Sequence, residues 1–289
     1  MIKKSNQKSG NNSINIQESQ NVIIGLSYTE SKELFSDLFE KNFPAFQKIA
    51  QEEARKNVEK LSKVFVDKVN ELKSFSDSEM KSPDFHYNLY KSIEIGARNS
   101  SDDLHQFLAN LLAKRIGCDK NDTKRIILNE SISTIEKVST NQLKLLTFSY
   151  LFFTYFRIFE IKNWNEFNEY IEEFIEPFMD YEYSYIDLQH LNYSNCSTFE
   201  SGFGKPSLSQ IIKNRFPELY PDLKSRKDEQ AYVDEVTRTN MKHQDKFFGM
   251  LNSTQLYAIS PTSVGFMLIS QYFEIIKGEK LTHIEKLFE

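Results

Sequence analysis

The sequence predicts an all-α protein, a multi-helix bundle preceded by a short N-terminal β-hairpin segment. Its 289 residues include only 9 Gly and 7 Pro, whereas 27% are charged. Few helix breakers together with abundant Lys, Glu and Leu favour long helices over a many-stranded β fold, which requires frequent turns. The 24 Phe and 14 Tyr residues indicate a core built largely on aromatic side chains.

The first 26 residues are predicted to be a flexible lead and a β assembly segment. Residues 1–13 are too polar to order themselves, whereas the following stretch alternates apolar and polar residues around a short polar turn. An isolated hairpin is barely stable in water, and its unpaired edges template further pairing. We therefore expect assembly between protomers or, alternatively, a hairpin docked on its own subunit or left disordered. The residues assigned to this assembly are Ile14, Ile16, Val22, Ile23 and Ile24.

Residues 27–180 are predicted to form a helical domain with a long first helix. Ser27 and Glu30 fit a capping box, and Pro44 is expected to kink or split the helix. Beyond Pro44, a narrow apolar stripe runs at spacings of three and four. It is typical of either a coiled-coil seam or an amphipathic helix lying on its own domain. The stripe consists of Ala54, Val58, Leu61, Phe65, Val69 and Leu72.

Capping residues and breakers mark the later helices. The expected starts are Ser82-Pro83, Ser100 to Asp103, residue 121, Thr140 and Asn163 with Glu166. Residues 181–289 are predicted to form a C-terminal helical region packed on this domain. Within it, residues 180–206 are expected to be mostly loop with one helical turn near Leu188. Two charged helices then fill 207–250, and Thr262 begins a last helix that Gly278 stops.

Composition excludes several classes of protein. A net charge of −5 argues against a protein that coats nucleic acid. Cys118 and Cys196 cannot on their own form a disulfide framework or a four-ligand zinc site, so we expect free thiols. No apolar stretch follows the basic start, so no signal peptide is predicted. The longest uncharged apolar segment, Leu145 to Phe156, is shorter than the roughly 20 residues that span a bilayer. The expected location is the cytoplasm.

A search for catalytic motifs yields no catalytic residue, cofactor site or metal site. Gly202 to Ser207 lacks the first glycine of a phosphate loop, and Pro206 occupies the position of its Mg²⁺ ligand. The five histidines have no partner at metal-binding spacing. Glu160-Ile161-Lys162 matches a fragment of metal-dependent nucleases, but it follows a helix rather than a strand. A Cys196–His190 nucleophilic pair has no local support.

Two further helical features favour structural roles. Asp102 and Asp103 suit the dipole at a helix N-terminus. The helix from Leu143 to Ile161 is apolar nearly all the way round, which indicates a central core helix. A partner-binding groove, or membrane insertion after a conformational change, is the alternative for this helix.

Short stretches at both ends and in the middle resemble known bacterial families. Ser9 to Gln17 and Val22 to Tyr28 resemble the opening of a family of bacterial helical proteins with the signature SGxNSxNIQ…VxIGLSY, and Asn12 departs from its usual acidic residue. Asp102 to Leu112 is similar to that family's ELxxLLxxLL helix. Ile259 to Gly265 is similar to its LTxxG signature, with Ser260-Pro261 at the LT position. The central and C-terminal stretches also resemble the Abi-alpha group, whose members are associated with abortive infection and phage conflict.

The resemblance implies a setting in bacterial defence rather than a reaction. We expect a non-enzymatic, homo-oligomeric component of an anti-phage or stress system that acts through protein interaction or assembly. Its expected partners are copies of itself and another protein of the same system. The alternatives are a membrane-acting abortive-infection effector and an unrecognised metal-dependent nuclease.

Overall fold

A computed structural model describes residues 28–72, 77–118, 122–155, 160–180, 183–199, 207–223, 227–242, 245–247 and 259–288. The chain divides into two compact units, Met1–Glu53 and Ala54–Glu289. The predicted β assembly segment, including Ile14, Ile16, Val22, Ile23 and Ile24, lies outside the described residues.

The all-α prediction is confirmed, since the described residues contain 12 α-helices and one short two-stranded sheet. The helices are α1 (Tyr28–Asn70), α2 (Asp77–Met80), α3 (Pro83–Ala97), α4 (Asp102–Ile116), α5 (Thr123–Thr134), α6 (Thr140–Phe153), α7 (Trp164–Tyr170), α8 (Tyr185–Tyr193), α9 (Leu208–Arg215), α10 (Glu229–Asn240), α11 (Ser263–Lys277) and α12 (Thr282–Leu287). A 3₁₀ turn, Ile135–Lys137, follows α5, and a π-helical segment, Ile171–Ile175, follows α7.

Helix α1 begins in the first unit and ends in the second. Pro44 lies inside it and does not split it. In the second unit, α1 is an amphipathic helix on its own domain, which decides between the two interpretations of its apolar stripe. Leu61 and Val69 are buried in the core, and Phe65 and Leu72 pack against it. Four of the six stripe residues therefore serve the core of their own unit rather than a coiled-coil seam.

The second unit is organised around α6, as expected for a helix that is apolar on every side. All its residues from Leu145 to Phe153 are buried. Helix α11 packs against α4, α5 and α6. Aromatic contacts connect α11 to its surroundings, since its Phe266 ring meets Tyr150 of α6 at 5.6 Å and its Tyr272 ring meets Phe178, after the π-helical segment, at 6.0 Å.

Side-chain caps begin most of the later helices, as the sequence indicates. Ser82, Asn163 and Thr262 accept hydrogen bonds from backbone N–H groups of the first turns of α3, α7 and α11. Gly278 ends α11 in the left-handed region, at φ 71°. These caps satisfy polar groups that a helix cannot pair internally, which fixes where each helix begins or ends.

The helix near Leu188 is longer than the single turn predicted within residues 180–206. Helix α8 extends over nine residues, and strand β1 (Ser197–Phe199) pairs antiparallel with β2 (Ile259–Pro261). Leu188 and Leu191 anchor α8 in the core. The polar residues between and after these two leucines hide the weak apolar period of the helix. Strand β1 has its partner about 62 positions further along the chain.

Candidate partner-binding surface

Large aromatic and aliphatic side chains are exposed on three neighbouring elements of the second unit. Tyr87 and Tyr90 on α3 are 66% and 69% exposed, Ile126 on α5 is 57% exposed, and Tyr193 on α8 is 85% exposed. Contiguous exposed apolar groups on a protein surface commonly mark an interaction site, and tyrosine is enriched where partners bind.

A pocket of about 380 Å³ connects these elements. Tyr87 and Tyr193 both line it, which places α3 and the end of α8 on the same surface. Tyr90 follows Tyr87 by three positions, and Ile126 precedes the lining residue Glu130 by four, so each shares a helix face with the pocket. We call these four exposed residues, Tyr87, Tyr90, Ile126 and Tyr193, the tyrosine surface.

The inner wall of this pocket is polar. Asn88 and Ser194 line it and are 1% and 5% exposed, yet Asn88 Oδ1 and Ser194 Oγ have no hydrogen-bond partner among the described residues. Asn88 Nδ2 donates to the Asp84 backbone oxygen at 2.9 Å, which fixes the orientation of the amide. Asn195 completes the wall at φ 62°, a conformation that asparagine tolerates better than most residues. Tyrosine, serine and asparagine together are typical of surfaces that recognise protein partners.

An ion cluster around two buried arginines forms part of the wall of this pocket. Arg115 is fully buried and donates to Glu79 at 3.1 Å, to Asn129 at 2.7 Å and to Asp84. Arg125 contacts Glu79 at 2.7 Å and Asp84 at 3.0 Å. We call these five residues the arginine cluster. Two of them, Asp84 and Asn129, also line the pocket.

The arginine cluster keeps Asp84 ionised. Burial alone would raise the pKa of Asp84, but hydrogen bonds from Arg125 and Arg115 and their charges outweigh it and hold the pKa below its usual range. Breaking one partner of a buried ion pair is costly because the other charge is left uncompensated. The cluster therefore ties α2, α3, α4 and α5 together and fixes the wall of the pocket.

Sequence reasoning missed both the cluster and the tyrosine surface. Arg115 lies in the last turn of α4, where a basic residue already suits the helix dipole, so the residue type at this position gives no reason to expect burial. Its partners Glu79 and Asp84 are 36 and 31 positions away. The available signal was Arg115 on an otherwise apolar helix face next to Leu111 and Leu112.

The two cysteines are free thiols, and both are poor nucleophiles. Burial raises the pKa of Cys196 to about 12, and its Sγ donates to the Ser194 backbone oxygen. Burial also raises the pKa of Cys118. His190, the partner considered for Cys196, instead contacts Gln142 Oε1 at 3.2 Å through Nδ1. A thiolate is the reactive form of cysteine, so this arrangement opposes a Cys196–His190 pair.

The other described histidines are separate from one another. His105 Nε2 contacts the Gly96 backbone oxygen at 3.2 Å, His283 Nδ1 contacts the Tyr150 hydroxyl at 2.9 Å, and His86 packs beside Phe85. His243 lies outside the described residues. Within the described part of the chain, no group of three or more His, Cys, Asp or Glu side chains is placed to hold a metal ion.

The remaining sequence motifs contribute no site in the described residues. Glu160 and Lys162 are exposed and pair with each other at 3.7 Å. Ser207 caps α9, whereas the preceding residues 201–206 lie outside the described part. None of the described helices is both long enough and apolar enough to cross a membrane.

A protein-family model described as ":-like" matches residues 25–263. The chain belongs to this family. The matched region of this chain includes the tyrosine surface and the arginine cluster, whereas most of the N-terminal signature precedes it. Searches of curated proteins and of solved structures found no match.

Proposed function

We propose that this protein is a non-enzymatic, cytoplasmic and self-associating component of a bacterial anti-phage or stress defence system, which acts through protein interaction. The observation that carries the proposal is the tyrosine surface around a preformed polar pocket. The bacterial defence setting comes from the family resemblance of the sequence.

The composition of the surface supports recognition of another protein. Tyrosine provides a large, rigid contact area and a hydroxyl that hydrogen-bonds at the same time, so few residues supply much of the affinity. The unpartnered Asn88 Oδ1 and Ser194 Oγ lie in the wall of the pocket and can accept hydrogen bonds if a partner displaces the groups that cover them. Because the arginine cluster fixes the wall, the partner meets a surface that is already organised.

The chemistry of the described side chains supports binding rather than catalysis. Both thiols have raised pKa values, and the described histidines contact separate groups. Helix α6, which a membrane-acting effector would have to expose, is the central helix of the core. The exposed Glu160–Lys162 pair gives no support to a nuclease. Neither alternative is favoured by a specific observation.

Self-association is the first part of the proposal to test. The mass of the full chain and of a variant lacking residues 1–26 should be measured by light scattering over a range of micromolar concentrations. We expect the full chain to associate. Loss of association in the shortened chain would assign it to the N-terminal segment, whereas retained association would assign it to the rest of the protein. A full chain that stays monomeric throughout would refute self-association.

The tyrosine surface is tested by a double variant, Tyr87→Ser with Tyr193→Ser. The matched control is Ile276→Ser on α11, which replaces another exposed apolar residue that does not line the pocket. We expect the double variant to weaken association with a copy of the chain, or with a protein encoded beside it, by tenfold or more, since hot-spot residues each contribute about 2 kcal/mol or more. Equal affinity of the double variant and the control would remove the surface from the function.

A further inference from the structure

A second pocket, of about 460 Å³, lies on the second unit where α3 ends and where α4 and α6 begin. Its floor is formed by buried apolar side chains from α3, α4, α6, α11 and the 3₁₀ turn with the residue that follows it. The floor residues are Ile95, Phe107, Ile135, Val138, Leu143 and Tyr272. A half-enclosed apolar cavity of this size is typical of a small-molecule site. We call it the Tyr272 pocket.

Tyr272 supplies a polar atom within this apolar floor. Its side chain is 2% exposed, and it lines the pocket. Burial raises the pKa of Tyr272, and the nearby carboxylates of Asp103 and Asp180 raise it further, so the phenol stays protonated. A protonated phenol both donates and accepts hydrogen bonds, so a tyrosine that lines a cavity offers a position for a polar ligand atom.

The charges at the mouth of the pocket favour a cation. The charged lining residues are Asp103, Glu136 and Arg98, which leave one excess negative charge. Glu136 is bound by Arg98 at 3.1 Å and by Lys91 at 2.7 Å. Asp103, in contrast, has no ion pair with any residue that the structure describes. It is therefore the one lining carboxylate whose charge is not already matched by a described basic side chain.

We propose that the Tyr272 pocket binds a small organic amine, whose apolar body packs on the floor and whose ammonium group meets Asp103. The phenol oxygen of Tyr272 can accept an N–H of such a ligand. A carboxylic acid of the same shape does not fit, because it would meet Asp103 without a free basic group. A neutral analogue fills the floor but forms no ion pair.

Phenethylamine, 2-phenylethanol and 3-phenylpropionate provide a matched series of probes, measured by calorimetry on the full chain. We expect phenethylamine to bind about three- to fivefold more tightly than 2-phenylethanol, the range of a partly exposed ion pair. We expect no binding of 3-phenylpropionate. Equal affinity for the amine and the alcohol, or no binding of either at millimolar concentration, would overturn the proposal.

Two substitutions locate the ammonium group. Asp103→Asn should remove the preference for amine over alcohol while leaving the affinity for the alcohol unchanged. Asp102→Asn is the matched control, because Asp102 is the adjacent carboxylate, pairs with Lys60 at 2.9 Å and does not line the pocket. A preference that survives Asp103→Asn, or that is lost equally in Asp102→Asn, would contradict the assignment. Both residues are exposed at the start of α4, so neither change disturbs the core.

Discussion

Replacement of Arg115 by Met should destabilise the second unit strongly. The side chain is fully buried, and the change removes its hydrogen bonds to Asn129 and Glu79, its ion pair with Asp84 and its stacking 5.5 Å from the Phe85 ring. The cluster then holds two carboxylates and only one guanidinium. Leaving a buried charge uncompensated costs about 3–5 kcal/mol, a large share of the roughly 5–15 kcal/mol that stabilises a typical protein.

Unfolding in urea followed by tryptophan fluorescence measures this loss. Trp164 is the only tryptophan, and its Nε1 donates to the Leu219 backbone oxygen at 3.1 Å, so its emission reports the second unit. With a denaturant slope of about 3 kcal/mol per molar, the unfolding midpoint should fall by about 1–1.7 M. Arg55→Met is the control, since Arg55 pairs with Glu59 at an exposed site and should contribute less than about 0.5 kcal/mol.

A second substitution tests the reason for the loss. In Arg115→Met with Glu79→Gln, the cluster is again neutral, with Arg125 opposite Asp84. We expect this double variant to recover at least about 1 kcal/mol relative to the single variant, because the uncompensated buried charge is gone. The reasoning fails if Arg115→Met loses less than about 1 kcal/mol, or if the second change only adds to the loss.

Three smaller predictions follow from the same unit. The pKa of Asp84 is lower in the folded state than in the unfolded state, so ionised Asp84 stabilises the fold above about pH 4, the unfolded pKa. This stabilisation should be lost as the pH falls through the folded-state pKa. Asp84→Asn should abolish this part of the acid dependence of stability in urea titrations. Gly265→Ala should destabilise the fold, since the added Cβ would lie 1.9 Å from the Cys196 backbone oxygen. Gly117→Ala should be tolerated, since the nearest atom to its Cβ would be 3.7 Å away. A similar melting temperature for both variants would contradict this reasoning. Gly278→Ala should cost about 1 kcal/mol in the same melts, because φ 71° is unfavourable for a residue with a Cβ.

Local signals allowed much of the fold to be predicted. Helix starts at Ser82, Asn163 and Thr262 and the stop at Gly278 depend on side chains within a few positions of the helix end. The burial of α6 likewise follows from its own composition. What the sequence could not provide is pairing across long distances, and the β1–β2 ladder is such a case.

The motif in residues 259–265 has a structural role that depends on contacts with a distant part of the chain. Thr262 caps α11 through Gly265 N and also donates to the Asn195 backbone oxygen at 2.6 Å. Gly265 lets the helix approach the Cys196 backbone more closely than any side chain would allow. The motif in residues 259–265 therefore joins α11 to the end of α8, whereas the sequence alone presents it only as a cap.

The candidate surface was hidden from the sequence for a related reason. Tyr87 and Tyr193 are 106 positions apart, and neither lies in a pattern that differs from ordinary amphipathic helix. Only the packing of α3 and α8 beside α5, fixed in part by the arginine cluster, brings them to one pocket. The N-terminal assembly residues remain a prediction, because they lie outside the described residues.

The two pockets share one wall, and this makes the two proposals testable against each other. The 3₁₀ turn Ile135–Lys137 and its flanking residues form that wall. Ser133, Thr134 and Lys137 line the pocket of the tyrosine surface, and Ile135, Glu136 and Val138 line the Tyr272 pocket. A ligand that shifts the turn from one side changes the shape of the other pocket, so the two binding events should be coupled.

Linkage then requires phenethylamine to change the affinity for the partner by the same factor by which the partner changes the affinity for phenethylamine. Calorimetry of each ligand with and without the other measures both factors, and a factor of one in both directions would show that the two sites are independent.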